Sequence, residues 1–320
     1  MFIPRFAVAI ISAGILVLGA GVVAGQDYPN KPIRIVTSAA GGGSDFTTRQ
    51  IAQGITGPLE QPVIVENRAA PVIATETVAK APPDGYTLLV GGGTLWLMPL
   101  MQKVNYDPVR DFSPISLVER SPNVLVVHPS LPVKSVKELI SLAKARPGEL
   151  TYSSSGLGGT TWLSGELLKS MAGVNIVSIP YKTGTQANTA VLNGEVQLAF
   201  PTAGVVAPFV KSGRLKALAI TSAEPSALVP GLPTIAASGL PGYELVGVSG
   251  IWAPAKTPGA IINRLNREIV RALNLPDVKE RFLNGGSEAV GTSPEQFAAY
   301  IKSSTATVDK LVKDAGINVK

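Results

Sequence analysis

KPIRIVTSAAGGGSDF, residues 31–46, runs from an alternating, β-branched segment (residues 32–36) through a loop of glycines and hydroxyls into a segment whose Phe46, Ile51, Ala52, Ile55 and Leu59 recur at helical spacing. It reads as a strand, a loop and a helix. Such a loop delivers the first backbone N–H groups of the helix without intrahelical partners, at the positive end of the helix dipole, which is a natural anion site. A second stretch, SSSGLGGTTW at residues 153–162, repeats the design. It follows a strand-like run at residues 150–153 and opens a helix whose Leu163, Leu167, Leu168 and Met171 share one face, with Gly173 as its C-terminal cap. Either loop alone reads equally as a tight turn with capping hydroxyls. Two of them, far apart in sequence, place one small anion in a cleft between two domains.

The rest of the chain supports two domains. Residues 63–65 and 86–90 are short apolar strands, residues 75–81 a helix and Pro82-Pro83-Asp84-Gly85 a turn, and strands alternating with helices predict a parallel sheet. Residues 124–127 open a second series. Ser135 and Glu138 form a capping box for a helix to Ala145, which Arg146-Pro147-Gly148 stops. Strands at 150–153, 175–179, 196–200 and 215–221 follow, with a helix near 186–193. In the third part Thr257-Pro258 starts a helix striped by Ile261, Ile262, Leu265, Ile269 and Leu273, and Ser293 with Gln296 starts a last helix running to Gly316. Residues 225–242 are rich in Pro and Gly, as a crossover should be. The expected division is 26–123 plus 225–320 for one domain and 124–224 for the other, joined by two or three linking strands and a hinge.

Residues 1–25 read as a secretory signal peptide: Arg5, an apolar run over 6–23, and small residues Val22-Val23-Ala24-Gly25 for cleavage, with an uncleaved anchor as the alternative. The remaining length, about 295 residues, suits two domains with their own cores. With no Cys, an exported chain has neither disulfides nor a thioether-linked lipid, so a freely diffusing periplasmic protein is expected. The net charge of +6 comes from Lys and Arg scattered singly, without the basic run of a nucleic-acid arm.

The ordered succession KPIRIV, GGGSD with Arg49, VENR (65–68), VAKAPPDGYTLL (78–89), YDPVRDFSPI (106–115), SVKELISLAKARPGELTYSSSG, IPYK (179–182), GRLKALAIT (213–221), LPTIAASGLPGYE (232–244) and WAPAKTP (252–258) resembles the Bug family. That family comprises the extracytoplasmic solute receptors of tripartite tricarboxylate transporters. The resemblance covers the chain from Tyr28 onward. It implies a type II periplasmic-binding-protein fold, two α/β domains closing like a flytrap on a small carboxylate. The ligand would be held by the loops Ser38 to Ser44 and Ser155 to Thr161, partly through ordered water, with Lys182, Thr183 and Gly184 nearby. It further implies membrane subunits of a tripartite transporter as partners.

Three positions depart from the family pattern. Thr37-Ser38-Ala39-Ala40 replaces prolines and an aromatic before the glycines, Trp162 stands where a His is common, and Pro201 replaces an acid that meets an ammonium in amino-acid binders. The last departure argues against an amino-acid ligand and for an apolar or aromatic carboxylate. The expected binding set is therefore Ser38, Ala39, Ala40, Gly41, Gly42, Gly43 and Ser44 from the first loop and Ser155, Gly156, Gly158, Gly159, Thr160 and Thr161 from the second. Thr94, Trp96, Trp162, Lys182, Thr183, Pro201 and Thr202 complete it, with size selection assigned to Trp96, Trp162 and residues 200–202. Asp45 and Arg49, four apart, are expected to cap and pair within one helix.

Enzymatic chemistry finds no footing. His128 is the sole histidine and precedes Pro129 at a strand end, where a structural role is the ordinary one. There is no Cys nucleophile, no G-x-S-x-G elbow, no P-loop and no dinucleotide fingerprint, so neither metal nor cofactor is expected. A monomeric carboxylate receptor is the reading. A ligand sensor for a signalling partner is the alternative, followed by a periplasmic hydrolase.

Overall fold

Ile33 and Ile35 are fully buried on one face of the first strand and Val36 on the other, so the opening alternation builds a sheet with helices on both sides. In the computed structural model, which describes residues 28–154 and 158–314, the first domain begins β1 (Ile33–Thr37), α1 (Gly43–Leu59), β2 (Val63–Asn67), α2 (Pro71–Ala79), β3 (Thr87–Gly92) and α3 (Thr94–Leu97). β4 (Phe112–Pro122) is its last strand before the second domain. That domain comprises β5 (Val124–Val127), α4 (Val136–Ala145), β6 (Thr151–Ser154), α5 (Thr160–Ala172), β7 (Val177–Pro180), α6 (Gly184–Leu192), β8 (Leu198–Ala199), α7 (Ala203–Lys211) and β9 (Lys216–Ile220). The chain returns through β10 (Val246–Pro254), α8 (Gly259–Leu273), α9 (Pro276–Asn284), β11 (Glu288–Ala289) and α10 (Pro294–Asp314). The expected signal peptide, and the stretch beyond Asp314 into which the last helix is expected to run, lie outside the described residues. Among the described residues no helix is long and apolar enough to cross a membrane.

The strand orders are β11-β4-β10-β3-β1-β2 and β7-β6-β8-β5-β9. Neither sheet is wholly parallel, which corrects the expectation from alternation. β1 pairs in parallel with β2 and β3, and β6 with β7 and β8, whereas β10 runs antiparallel to β3 and β4, and β5 antiparallel to β8 and β9. The helices α1 and α2 return the chain to run β1, β2 and β3 parallel, and α5 and α6 do the same for β6, β7 and β8, whereas α4 joins β5 and β6, which run in opposite directions. β4, β5, β9 and β10 instead carry the chain from one sheet to the other and back. β4 and β10 escaped the sequence reading because prolines and glycines interrupt them: Pro114 and Pro122 in one, Gly247, Gly250 and Pro254 in the other. Gly250 has a packing reason, since a Cβ there would sit 2.1 Å from the Phe297 ring.

The two crossings are laced together at the hinge. The Asn123 N–H donates to Thr221 Oγ1 at 2.9 Å, the Thr221 N–H to the Asn123 carbonyl at 2.9 Å, and the Leu245 N–H to the Thr221 carbonyl at 3.0 Å. Ile235, Leu240, Tyr243 and Leu245 pack in the core of the second domain before β10 re-enters the first sheet. Helix α10 belongs to both: Phe297 and Ile301 fill the first domain's core, and Val308, Leu311 and Val312 the second's. It is a strut across the cleft.

Candidate functional site

A cavity of about 560 Å³ lies between the two sheets. One wall is the first turn of α1, Gly43 and Ser44, with Gly92, Gly93 and Thr94 at the end of β3; the opposite wall is Gly158, Gly159 and Thr160 at the start of α5. The ends of β4 and β10 contribute Glu119, Ser121 and Ser249, and α10 contributes Tyr300, Ser303, Ser304 and Thr307. No Lys, Arg or His is among these described lining residues.

The two wall helices start alike. Each has a glycine N-cap in extended conformation, Gly42 for α1 and Gly159 for α5, and neither makes a side-chain cap hydrogen bond. Two helices away from the cavity carry ordinary hydroxyl caps, Ser135 accepting from the Glu138 N–H and Thr183 from the Gln186 N–H, both at 3.2 Å, while α2, α7, α8 and α9 also lack a side-chain cap but do not face the cavity with their first turns. At the cavity, hydroxyl caps are replaced by glycines, so the first N–H groups of α1 and α5 are left for something else.

The first loop is tied down from behind. Asp45 Oδ2 accepts from the Gly41 N–H at 3.0 Å and from Arg49 Nε at 3.1 Å, and Asn67 Nδ2 donates to Asp45 Oδ1 at 2.9 Å and to the Ser38 carbonyl at 2.8 Å. Asp45 and Arg49 thus pair within α1 as their spacing predicts, and instead of capping the helix Asp45 holds the N–H of Gly41, the residue before the N-cap. Burial would raise the Asp45 carboxyl, but the hydrogen bonds from Arg49, Gly41 and Asn67 and the Arg49 charge outweigh it and hold it down at about 2.

Of the expected site residues, the structure brings Gly43, Ser44, Thr94, Trp96, Gly158, Gly159 and Thr160 to the cavity wall. Ser38 lines a smaller space of about 90 Å³ behind the first loop, which shares Ser44, Gly92 and Thr94 with the main cavity. Ala39, Ala40, Gly41 and Gly42 are exposed and are not among the cavity-lining residues. Ser155 and Gly156 lie outside the described residues.

The residues expected to select size are placed differently from one another. Trp96 is 2% exposed, stacks among Trp252, Phe297 and Tyr300, and donates Nε1–H to Ser304 Oγ at 2.9 Å, so only its margin meets the cavity. Trp162 is in the core of the second domain, its carbonyl accepting from the Tyr152 hydroxyl at 3.2 Å. Thr161 follows Thr160 into α5. The Pro201 carbonyl accepts from the Val124 N–H at 2.8 Å at the hinge, Thr202 is the N-cap residue of α7, and neither is among the cavity-lining residues. Lys182 borders a separate open pocket with Tyr181, Gln186 and Glu195, and Thr183 caps α6. His128 pairs with Ser130 at 2.7 Å, outside the cavity lining. Glu119 and the α10 hydroxyls were not anticipated. Tyr300, Ser303, Ser304 and Thr307 sit at i, i+3, i+4 and i+7, a hydroxyl stripe that is visible in the sequence.

The family described as "Tripartite tricarboxylate transporter family receptor" matches residues 47–317. Protein BugT of Bordetella pertussis is 35% identical over 316 residues, covering 96% of this chain and 97% of its own. Among solved structures, R. palustris Rpa4515 with adipate is 34% identical with a TM-score of 0.73, covering 92% of this chain and 100% of that one. MatC from Rhodopseudomonas palustris with bound malate is 28% identical with a TM-score of 0.67, covering 89% and 100%.

Proposed function

This chain belongs to the tripartite tricarboxylate transporter receptor family, a family of solute-binding receptors rather than enzymes, and we propose that it captures a small carboxylate between its two domains and hands it to the membrane subunits of such a transporter. The observation that carries the reading is the pair of glycine-capped helix starts, Gly43 and Thr160, which meet one cavity from opposite sheets. Each supplies about half a unit of positive charge and free N–H donors, enough for a carboxylate and weak enough for release. The adipate and malate of the two similar structures are ligands of that chemical class. The 90 Å³ space behind Ser44 has room and hydroxyls for the water that would bridge ligand to Ser38 and Thr75.

In this reading Gly43, Ser44, Gly158, Gly159 and Thr160 clamp the carboxylate, Thr94 supports it, and closure about Asn123 and Thr221 excludes water and strengthens each contact. Residues 1–25 export the chain to the periplasm, where it works as a monomer. The two domains part after β4 at 123/124 and where the chain re-enters the first sheet at β10, since Ile235, Leu240, Tyr243 and Leu245 pack with the second domain, and α10 is the strut between them. A thermal-shift screen of the full chain with C4 to C6 dicarboxylates, nicotinate and benzoate tests the proposal. The true ligand at a hundred times its Kd raises stability by about 2.7 kcal/mol, and a screen in which only sugars shift the melting curve overturns it.

A further inference from the structure

The cavity is lined by two carboxylates, Glu119 and Glu244, that a two-jaw clamp does not use. Glu119 stands near the end of β4, opposite Ser249 of β10, and is 9% exposed at the cavity it lines. Its Oε2 accepts from Thr47 Oγ1 at 2.5 Å, and Oε1 has no hydrogen-bond partner among the described residues. No ion pair reaches it there either. The other acid of the lining, Glu244, is only half-buried and keeps access to solvent, whereas Glu119 is buried on the α1 side beside Thr47.

A buried carboxylate with an open oxygen and no counter-charge is unfavourable, and sealing it in with a ligand makes it more so. A dicarboxylate would bring a second negative charge into a cavity lined by two acids and no base. A ligand with an ammonium would answer Glu119 with a charge-assisted hydrogen bond while its carboxylate took the helix N-termini. We infer that Glu119 is a specificity-determining residue that selects ligands carrying a protonated amine in addition to a carboxylate. This rests on the carboxylate reading above and reverses the expectation drawn from Pro201, which is committed to the hinge and lines no part of the cavity.

Isothermal titration of the full chain against matched probes tests it: 6-aminohexanoate against adipate, L-glutamate against glutarate and L-aspartate against succinate and malate. The amine-bearing member of each pair that binds is expected to be about tenfold or more the tighter. Glu119→Gln, which keeps the shape and an acceptor for Thr47, should abolish that preference while diacid affinity holds or rises. Tighter binding of diacids or of malate by the natural chain overturns the inference, as does an unchanged preference in Glu119→Gln or the failure of every amine-bearing probe to bind. If Glu119→Gln does not fold, the matched-pair ratio in the natural chain decides alone. Hexylamine separates this inference from its premise: binding as tight as that of 6-aminohexanoate removes the carboxylate reading and leaves Glu119 assigned.

Discussion

The two jaws of the cleft present the same element, a glycine-started helix, but hold it in place by different means. The first is braced by polar bonds: Asp45, Arg49 and Asn67 fix the loop from behind through five contacts no longer than 3.3 Å. The second leans on packing. Gly165 lies so close to Tyr152 that a Cβ would sit 2.3 Å from its ring, and Gly158, at φ +78°, lies against Met101 of the first domain, where a Cβ would sit 2.6 Å from the sulfur. The proposed carboxylate clamp needs only two oriented sets of N–H donors, and the scaffold behind each is free to differ.

The most severe way to break the contrast is Gly165→Val. Bulk driven into the Tyr152 ring should cost about 3 kcal/mol and lower the melting temperature of the second domain sharply, whereas an unchanged melt would show that its core yields. Next come Gly43→Pro and Thr160→Pro, each at the first helical position, where proline fits and the residue before it is already extended. Each removes one N–H donor from one jaw, so affinity for the ligand should fall about tenfold per variant with little change in melting. A jaw whose proline variant binds normally is not a jaw.

Asp45→Asn should be milder, at about 1–2 kcal/mol of stability, and it should change the acid limb of the stability curve. The folded carboxyl is held at about 2 against an ordinary 3.8, so its contribution is fully present above about pH 4 and disappears as the pH falls toward 2. Melting between pH 5 and 2 should therefore fall more steeply in the natural chain than in the Asn variant, and parallel curves would remove Asp45 from the brace. The smallest effect expected is optical. Trp96, Trp162 and Trp252 are all buried, so ligand should change emission only slightly, through the margin of Trp96. Trp96→Phe should erase that change and Trp162→Phe should preserve it.

What could be read from residues alone differed between the jaws for the same reason. The Asp45–Arg49 brace is local: two charges four apart on one helix announce themselves. The apolar supports are not, since Tyr152 against Gly165 and Gly158 against Met101 join residues whose meeting depends on how helix and sheet are stacked. Trp162 shows the cost of reading position without packing. It follows the second loop directly, yet the turn of α5 carries it into the core, and Thr160 alone of that pair reaches the cavity. Glu119 was hidden differently. It sits in a strand that its prolines disguised, and its chemistry emerges only when the end of β4 is set beside Thr47 of α1, seventy-two residues away.

From the sequence by itself come the two glycine loops, the helix and strand alternation of the two domains, the capped helices and the family, because all of these rest on backbone conformation and short-range spacing that each segment carries within itself. The tertiary structure alone decides that α10 spans both domains and lines the cavity with its hydroxyl stripe, that all three tryptophans are buried, and that Glu119 joins the cavity wall beside Thr47. Those depend on which faces meet when apolar surface is buried across the hinge, and no local pattern in the chain records that meeting.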